Sequence, residues 1–245
     1  MDFVFLVVVA LAASFVNTLT GFGYALVSMP TWVLVMDPKA AVVLTQLSFA
    51  MLAPVIVWQA RKDVDRDLFV TLLLPSFVGL PIGAYVLVVI DQGLLRLLIG
   101  AATVLAAVAL LFKYRRRFRR ERLAAAVTGF LMGLLTTGIG VSGPLVVLFM
   151  ANQGVTKDRL RATIAAFTLG MVLASLVVLY LGGLLTMQLL LTGLLLFPAS
   201  LVGFLLAVRI LPAVDPEMFH RVTVVLVLLA GLALVASEIG QLLGS

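Results

Sequence analysis

Long apolar runs without a single charge dominate the pattern of this chain. Such runs occupy residues 68–90, 97–112, 162–208 and 222–237. About 20 consecutive apolar residues let a helix cross the hydrocarbon core of a bilayer, and these runs with their flanks supply several such lengths. The short alternating segments of a transmembrane β-barrel are absent from the sequence. The pattern therefore predicts an all-α polytopic membrane protein.

The order of short motifs predicts two structural repeats. TGFG at 20–23 is followed by Pro30, and TGIG at 137–140 is followed by Pro144. In each half a second helix with polar side chains comes next, and the basic segment KYRRRFRRER at 113–122 joins the halves. The shared order of these features is what a duplicated chain would show.

We divide the chain into a first transmembrane repeat, 1–112, a basic cytoplasmic linker, 113–122, and a second transmembrane repeat, 123–245. Each repeat is predicted to contain a broken helical hairpin followed by three transmembrane helices. Residues 3–36 would form a helix of roughly 50 Å, which is too long for one crossing. A unit interrupted at its glycines either crosses once as a broken helix or enters, turns and returns to its own side.

The distribution of lysine and arginine favours the returning hairpin. If each interrupted unit crossed once, the two faces of the membrane would hold ten and seven of these residues. If each unit returned, one face would hold fifteen and the other only Lys39 and Arg96. Cytoplasmic loops carry an excess of lysine and arginine, so the second split is the expected one. The repeats are then inverted, with both termini outside and the linker inside a plasma membrane (the bacterial inner membrane).

Composition narrows the function classes further. The chain is 63% hydrophobic and 11% charged, with no cysteine and a formal net charge of +6. Basic cytoplasmic loops explain that charge, so we expect no nucleic-acid partner and a contact between the linker and anionic lipid. No charged residue lies deep in an apolar run, and the chain has one histidine. These features argue against a metal site, a cofactor and an intramembrane enzyme.

The two glycine breaks form the candidate binding site. In transporters built from inverted repeats, substrate binds where broken helices meet near the midplane. Helices starting near Gly23 and Gly140 would direct unpaired N–H groups and positive dipole ends there, and such ends bind anions. Gln46 could contact the ligand or form a hydrogen bond between helices. The predicted substrate-binding residues are Asn17, Thr18, Thr20, Gly21, Gly23, Gln46, Thr136, Thr137, Gly138, Gly140 and Ser142.

The stretch GIGVSG at 138–143 also matches the glycine pattern of dinucleotide-binding turns. That turn requires a preceding strand and an acidic residue about twenty positions further on. This stretch lies in a membrane segment, and Asp158 falls in a basic loop. We therefore interpret the glycines as a break in a membrane helix.

These features together resemble the TauE/SafE sulfite exporter family. The resemblance rests on the TG[FI]G turns, the prolines after them, the arginine-rich linker and the chain length. It implies a secondary carrier that exports sulfite or a C2 organosulfonate such as sulfoacetate by alternating access. Many family members have a fuller glycine run after the first turn, whereas Tyr24 and Ala25 follow here, and Val141 and Ser142 follow the second turn. These positions would line the site.

Two alternatives to an anion exporter remain open at this stage. Backbone carbonyls at the same breaks could coordinate Na⁺, which would suit a cation-coupled carrier of another small solute. The glycines could also serve close helix packing alone, as in a membrane scaffold that transports nothing. The sequence does not indicate an oligomeric state.

Overall fold

The computed structural model of the chain describes residues 2–21, 23–60, 63–111, 120–141, 143–151, 157–210 and 216–244. These residues form helices and the turns between them, and they contain no strand. In chain order the helices are α1 (Asp2–Thr20), α2 (Tyr24–Trp32), α3 (Pro38–Ala60), α4 (Arg66–Val89), α5 (Gln92–Leu111), α6 (Glu121–Ile139), α7 (Gly143–Ala151), α8 (Lys157–Leu181), α9 (Met187–Ile210) and α10 (Pro216–Gly244).

Helix length separates two short helices from the rest. Eight helices are long and apolar enough to cross a membrane, whereas α2 and α7 have 9 residues each. At 1.5 Å per residue, nine residues extend for only about half of the hydrocarbon core. The chain is therefore a multi-pass helical membrane protein, as predicted, and each short helix directly follows a glycine break.

The second hairpin enters and returns on one side of the molecule. Helix α6 runs parallel to α4, because Gly129 lies against Leu72 near their beginnings and Gly138 lies against Gly83 near their ends. Helix α8 begins beside the start of α4, where Arg159 Nη2 pairs with Asp65 Oδ2 at 3.0 Å. Both α6 and α8 thus begin where α4 begins, which we call the linker side. Helix α7 leads the chain back to that side.

The first hairpin returns to the opposite side. Tyr24, the first residue of α2, packs against Phe49 in the middle of α3, with tilted rings whose centroids lie 5.6 Å apart. From there α2 and the turn after it lead to the beginning of α3, where Lys39 Nζ donates to Val88 O near the end of α4. Because α4 begins on the linker side, its end and the beginning of α3 lie on the opposite side.

Corresponding helices of the two halves run in opposite directions. Near the start of α5, Arg96 Nη1 pairs at 3.2 Å with Oε1 of Glu238, which lies near the end of α10. The packing of α1 on α9 also matches that of α6 on α4. A Cβ added at Gly203 would lie 2.2 Å from Leu11 O, and one added at Gly79 would lie 2.2 Å from Phe130 O. An inverted repeat would give such contacts, and the repeat itself stays a prediction.

The two halves are interleaved rather than side by side. Helix α4 packs mainly on α6, and α1 mainly on α9, so each half supplies a neighbour for the hairpin of the other. The core centres on α2 and α3, where Trp32, Leu44 and Leu52 are fully buried. The domain boundaries stay a prediction, and most of the linker lies outside the described residues.

One detail of the predicted repeat is wrong. The shared TGxG motif pairs Gly21 with Gly138, but the two helices end at Thr20 and Ile139. The glycines that directly follow those ends are Gly21, with φ of 89°, and Gly140, with φ of 72°. These are left-handed conformations that glycine adopts without a steric penalty. The equivalent break positions are therefore Gly21 and Gly140, two residues away from the motif alignment.

Candidate functional site

A cavity of about 60 Å³ lies where the two glycine breaks meet. Both breaks, both short helices and the two long helices that follow them contribute to its wall. From the first half it is lined by Asn17, Gly21, Tyr24, Ala25, Thr45, Gln46, Phe49, Ala53 and Ile56. From the second half it is lined by Thr136, Gly140, Gly143, Ile164, Ala165, Thr168, Met171 and Val172.

Five of the residues predicted from the sequence line this cavity. They are Asn17, Gly21, Gln46, Thr136 and Gly140. The structure therefore brings together one residue at the end of each hairpin's first helix, both break glycines and the polar side chain of α3. Their role in binding stays a prediction.

The other predicted residues lie around the cavity without lining it. Thr18 and Thr20 donate to the carbonyls of Ser14 and Val16 one helical turn earlier. Thr137 donates to the carbonyls of Leu80 and Gly133. Gly138 packs against Gly83, and Gly23 against Val16. Ser142 lies outside the described residues.

Several lining residues were not among the predicted site residues. Thr45 and Thr168 lie on the helices that follow each hairpin, α3 and α8, and sequence periodicity alone does not show which of their faces meets the other half. Tyr24 and Ala25 were expected to line the site from the resemblance, and both do. Val141 is buried but does not line the cavity.

Asn17 offers a hydrogen-bond donor to the cavity. Its Oδ1 accepts from the backbone N–H of Tyr24 at 3.3 Å, at the first residue of α2. An N–H can only donate, so this contact fixes which end of the amide is oxygen. The Nδ2 group has no partner in the part of the chain that the structure describes, although the residue is only 4% exposed. Asn17 thus presents N–H donors to the cavity.

Gln46 presents the opposite chemistry. Its Nε2 donates to Thr136 O at 2.9 Å and to Ser175 Oγ at 2.7 Å, which uses both of its N–H groups. The reverse orientation would place Oε1 against the carbonyl oxygen of Thr136, where two acceptors would meet. Within the described ranges Oε1 has no partner, and the residue is 3% exposed. The helix–helix hydrogen bond is thus present, and a carbonyl acceptor is left for the cavity.

The cavity contains helix ends but no formal charge among the described residues that line it. Helix α2 has Gly23 at its N-cap, which has no side chain to cap the helix, and only the N–H of Tyr24 is paired by Asn17; Gly143 begins α7 at the same cavity. The first N–H groups of a helix have no partner within it and carry a partial positive charge. Thr168 adds a hydroxyl without a partner in the described chain. The wall can therefore bind a small anion through neutral donors.

Comparison with known proteins identifies the family. The family described as sulfite exporter TauE/SafE matches residues 6–234. The chain belongs to the TauE/SafE family. No curated protein and no solved structure gives a significant match. Because TauE/SafE proteins are membrane transporters of anions such as sulfite, this chain belongs with transport proteins.

Family membership gives the cavity a context. Matched residues 6–234 include both glycine breaks, both short helices and every residue that lines the cavity. A transporter of anions needs a site that both faces of the membrane can reach in turn, and the meeting point of inverted repeats is the usual place. In this TauE/SafE chain the polar cavity lies where the two glycine breaks meet.

Proposed function

We propose that this TauE/SafE protein is a secondary transporter that exports small anions from the cytoplasm by alternating access. Sulfite is the preferred substrate, with a C2 organosulfonate such as sulfoacetate as the second choice. One observation carries the proposal, namely a cavity at the meeting of two helix breaks that offers neutral donors and lacks charged side chains among its described lining residues. One repeat would move against the other to change access.

The size of the cavity supports sulfite over larger anions. The cavity of about 60 Å³ exceeds the roughly 10–15 Å³ that one water needs. Sulfite, with one sulfur and three oxygens, is the smallest of the candidate sulfur oxyanions. Sulfoacetate carries an additional carboxymethyl group and would require the cavity to widen.

The arrangement of basic residues supports the proposed orientation of the chain in the membrane. Arg66 and Arg159 lie on the linker side, whereas Lys39 and Arg96 lie on the opposite side. With the remaining basic residues assigned by their helix ends, fifteen fall on the linker side, which the positive-inside rule places in the cytoplasm. Both termini then face outward from the plasma membrane, and the linker contacts anionic lipid.

The first test is ligand-induced thermal stabilisation of the purified protein in detergent. The panel contains sulfite, sulfoacetate, taurine, sulfate, acetate, chloride and Na⁺. At about a hundred times its dissociation constant, a bound ligand adds roughly 2.7 kcal/mol to the free energy of unfolding. We expect sulfite to give the largest shift of the unfolding temperature. Uptake of sulfite into proteoliposomes then tests transport.

The matched variants are Thr168→Val and Thr103→Val. The hydroxyl of Thr168 lines the cavity without a described partner, so its removal costs no hydrogen bond within the described structure. Thr103 is also buried, but it lies on α5, which does not line the cavity, and donates to Ile99 O. We expect Thr168→Val to weaken the sulfite shift and Thr103→Val to leave it unchanged. Equal shifts in both variants would contradict the site.

One observation favours a second candidate, a cation-coupled carrier of another small solute. Helices α1 and α6 end at the cavity, so their last carbonyls and Gln46 Oε1 provide acceptors there. Stabilisation by Na⁺ without any anion would support that candidate. No shift with any compound in folded protein would instead favour a scaffold.

A further inference from the structure

We propose that the cavity selects a singly charged oxyanion that keeps one proton, which for sulfite is hydrogensulfite, over the doubly charged form. This inference rests on the proposed function, because it concerns the protonation state of the anion bound at the same site. It goes further by separating hydrogensulfite from sulfite dianion and from sulfonates, which carry no proton on the acid group at neutral pH.

Gln46 on α3 leaves one hydrogen-bond acceptor, Oε1, for a ligand in the cavity. Because Thr136 O and Ser175 Oγ use both N–H groups of Gln46, only Oε1 remains for a ligand. A carbonyl oxygen repels an oxyanion that has no hydrogen to donate. An acceptor that faces the cavity without a partner in the described protein is satisfied by a ligand O–H and left unpaired by a ligand without one, which costs affinity. The wall therefore contains a position that requires a donor on the ligand.

The two hairpins supply N–H donors to the same cavity. Asn17 and the beginnings of α2 and α7 line the same cavity, so Asn17 Nδ2 and those early N–H groups that the Tyr24–Asn17 contact does not use are available there. These groups require acceptors, which the unprotonated oxygens of the anion supply. A ligand that satisfies both Asn17 and Gln46 must therefore carry acceptors and one donor, as hydrogensulfite does.

The described residues of the cavity wall carry no positive charge that could compensate a doubly charged anion. No lysine or arginine lies among the described residues of the cavity, so only dipoles and neutral donors oppose the negative charge. The cost of moving an ion out of water rises with the square of its charge, and nothing here compensates a second negative charge. Charge and hydrogen bonding thus favour the same protonation state.

The decisive experiment measures affinity against pH with the wild-type protein. Sulfite is titrated by thermal stabilisation and by calorimetry, well below and well above the pKa at which hydrogensulfite loses its proton. We expect the affinity for total sulfite to fall about tenfold for each pH unit above that pKa. Methanesulfonate, whose charge does not change in this range, reports any titration of the protein itself. It should bind roughly tenfold or more weakly than hydrogensulfite, because its methyl group leaves Gln46 Oε1 unpaired.

The matched variants are Gln46→Met and Ser175→Ala. Gln46→Met keeps the length of the side chain and removes Oε1 together with the Nε2 donor to Thr136 O and Ser175 Oγ, so hydrogensulfite should lose its advantage over methanesulfonate. Ser175 does not line the cavity. Its replacement by alanine removes one partner of Gln46 Nε2 and leaves Oε1 in place. It should keep the preference of the wild type. If Gln46→Met does not fold, the wild-type pH series alone decides.

Each outcome separates this inference from the proposed function. Sulfite affinity that does not change with pH, or methanesulfonate that binds as tightly, would overturn the choice of protonation state and leave the anion site standing. An absence of sulfite binding at every pH would overturn the proposed function itself.

Discussion

Asn17 is the residue whose orientation decides most about the chemistry of the cavity. In an Asn17→Asp variant, one carboxylate oxygen can still accept from Tyr24 N, so the start of α2 keeps its contact. The other oxygen replaces the N–H donors with negative charge. We expect sulfite affinity, measured by thermal stabilisation above neutral pH, to fall at least roughly tenfold because a donor is lost and like charges meet.

Thr18→Val is the control for that prediction. Thr18 directly follows Asn17 and was also predicted to bind substrate, but its hydroxyl donates to Ser14 O and does not line the cavity. Its replacement should leave the sulfite affinity unchanged. A loss as large as that of Asn17→Asp would mean that the end of α1, and not the Asn17 donor, controls binding.

At the scale of helices, small residues allow α4 and α6 to approach closely. A Cβ added at Gly133 would lie 2.2 Å from Ser76 O, a distance that only a shift of the backbone could relieve. We therefore expect Gly133→Ala to lower the free energy of unfolding by about 1–3 kcal/mol, measured by denaturation in detergent or bicelles. Gly240→Ala is the control, since a Cβ there meets nothing within 4 Å. Equal stability in both would contradict this close packing.

Helix ends were harder to predict than helices. Charge-free runs predicted the long helices and the two breaks, because a bilayer imposes length and polarity on any spanning segment. The TGxG motif did not predict the register of the breaks, because the sequence does not show that Gly21 and Gly140, and not Gly23 and Gly138, adopt a positive φ. Because Gly140 has a positive φ, a Gly140→Leu variant is a poor probe of ligand binding. It would strain a left-handed position and place its Cβ 2.9 Å from Met29 Sδ before any ligand is affected.

On the scale of the whole molecule, the cavity depends on contacts between the two halves. Gln46 meets Ser175 and Thr136, 129 and 90 residues further along the chain, and the carbonyl oxygen of Thr136 fixes which end of the amide faces the cavity. Periodicity within one helix cannot show such a contact, because it depends on how α3 and α8 pack. This explains why the sequence identified Asn17 and Gln46 as candidates but not Thr168 or the chemistry that each side chain presents.

The returning hairpins lead to a prediction about the whole chain in its membrane. The natural sequence has no cysteine, so single cysteines can report the side of each segment. Arg159 begins α8 on the linker side, and Met187 begins α9 on the opposite side with 69% exposure. In intact cells a membrane-impermeant thiol reagent should label Met187→Cys, and should label Arg159→Cys only after the cells are permeabilised.

Arg122→Cys completes this experiment because Arg122, the last residue of the linker, is exposed near the beginning of α6. With a returning hairpin between them, Arg122→Cys and Arg159→Cys must behave alike, since both then lie on the cytoplasmic side. If α6 and α7 instead crossed the membrane once, the two positions would be labelled from opposite sides. The helices that follow the two hairpins, α3 and α8, would then cross in the same direction. The inverted relation that brings both breaks to one cavity would be lost. A shared pattern of labelling would therefore support the anion site at the same time as the topology.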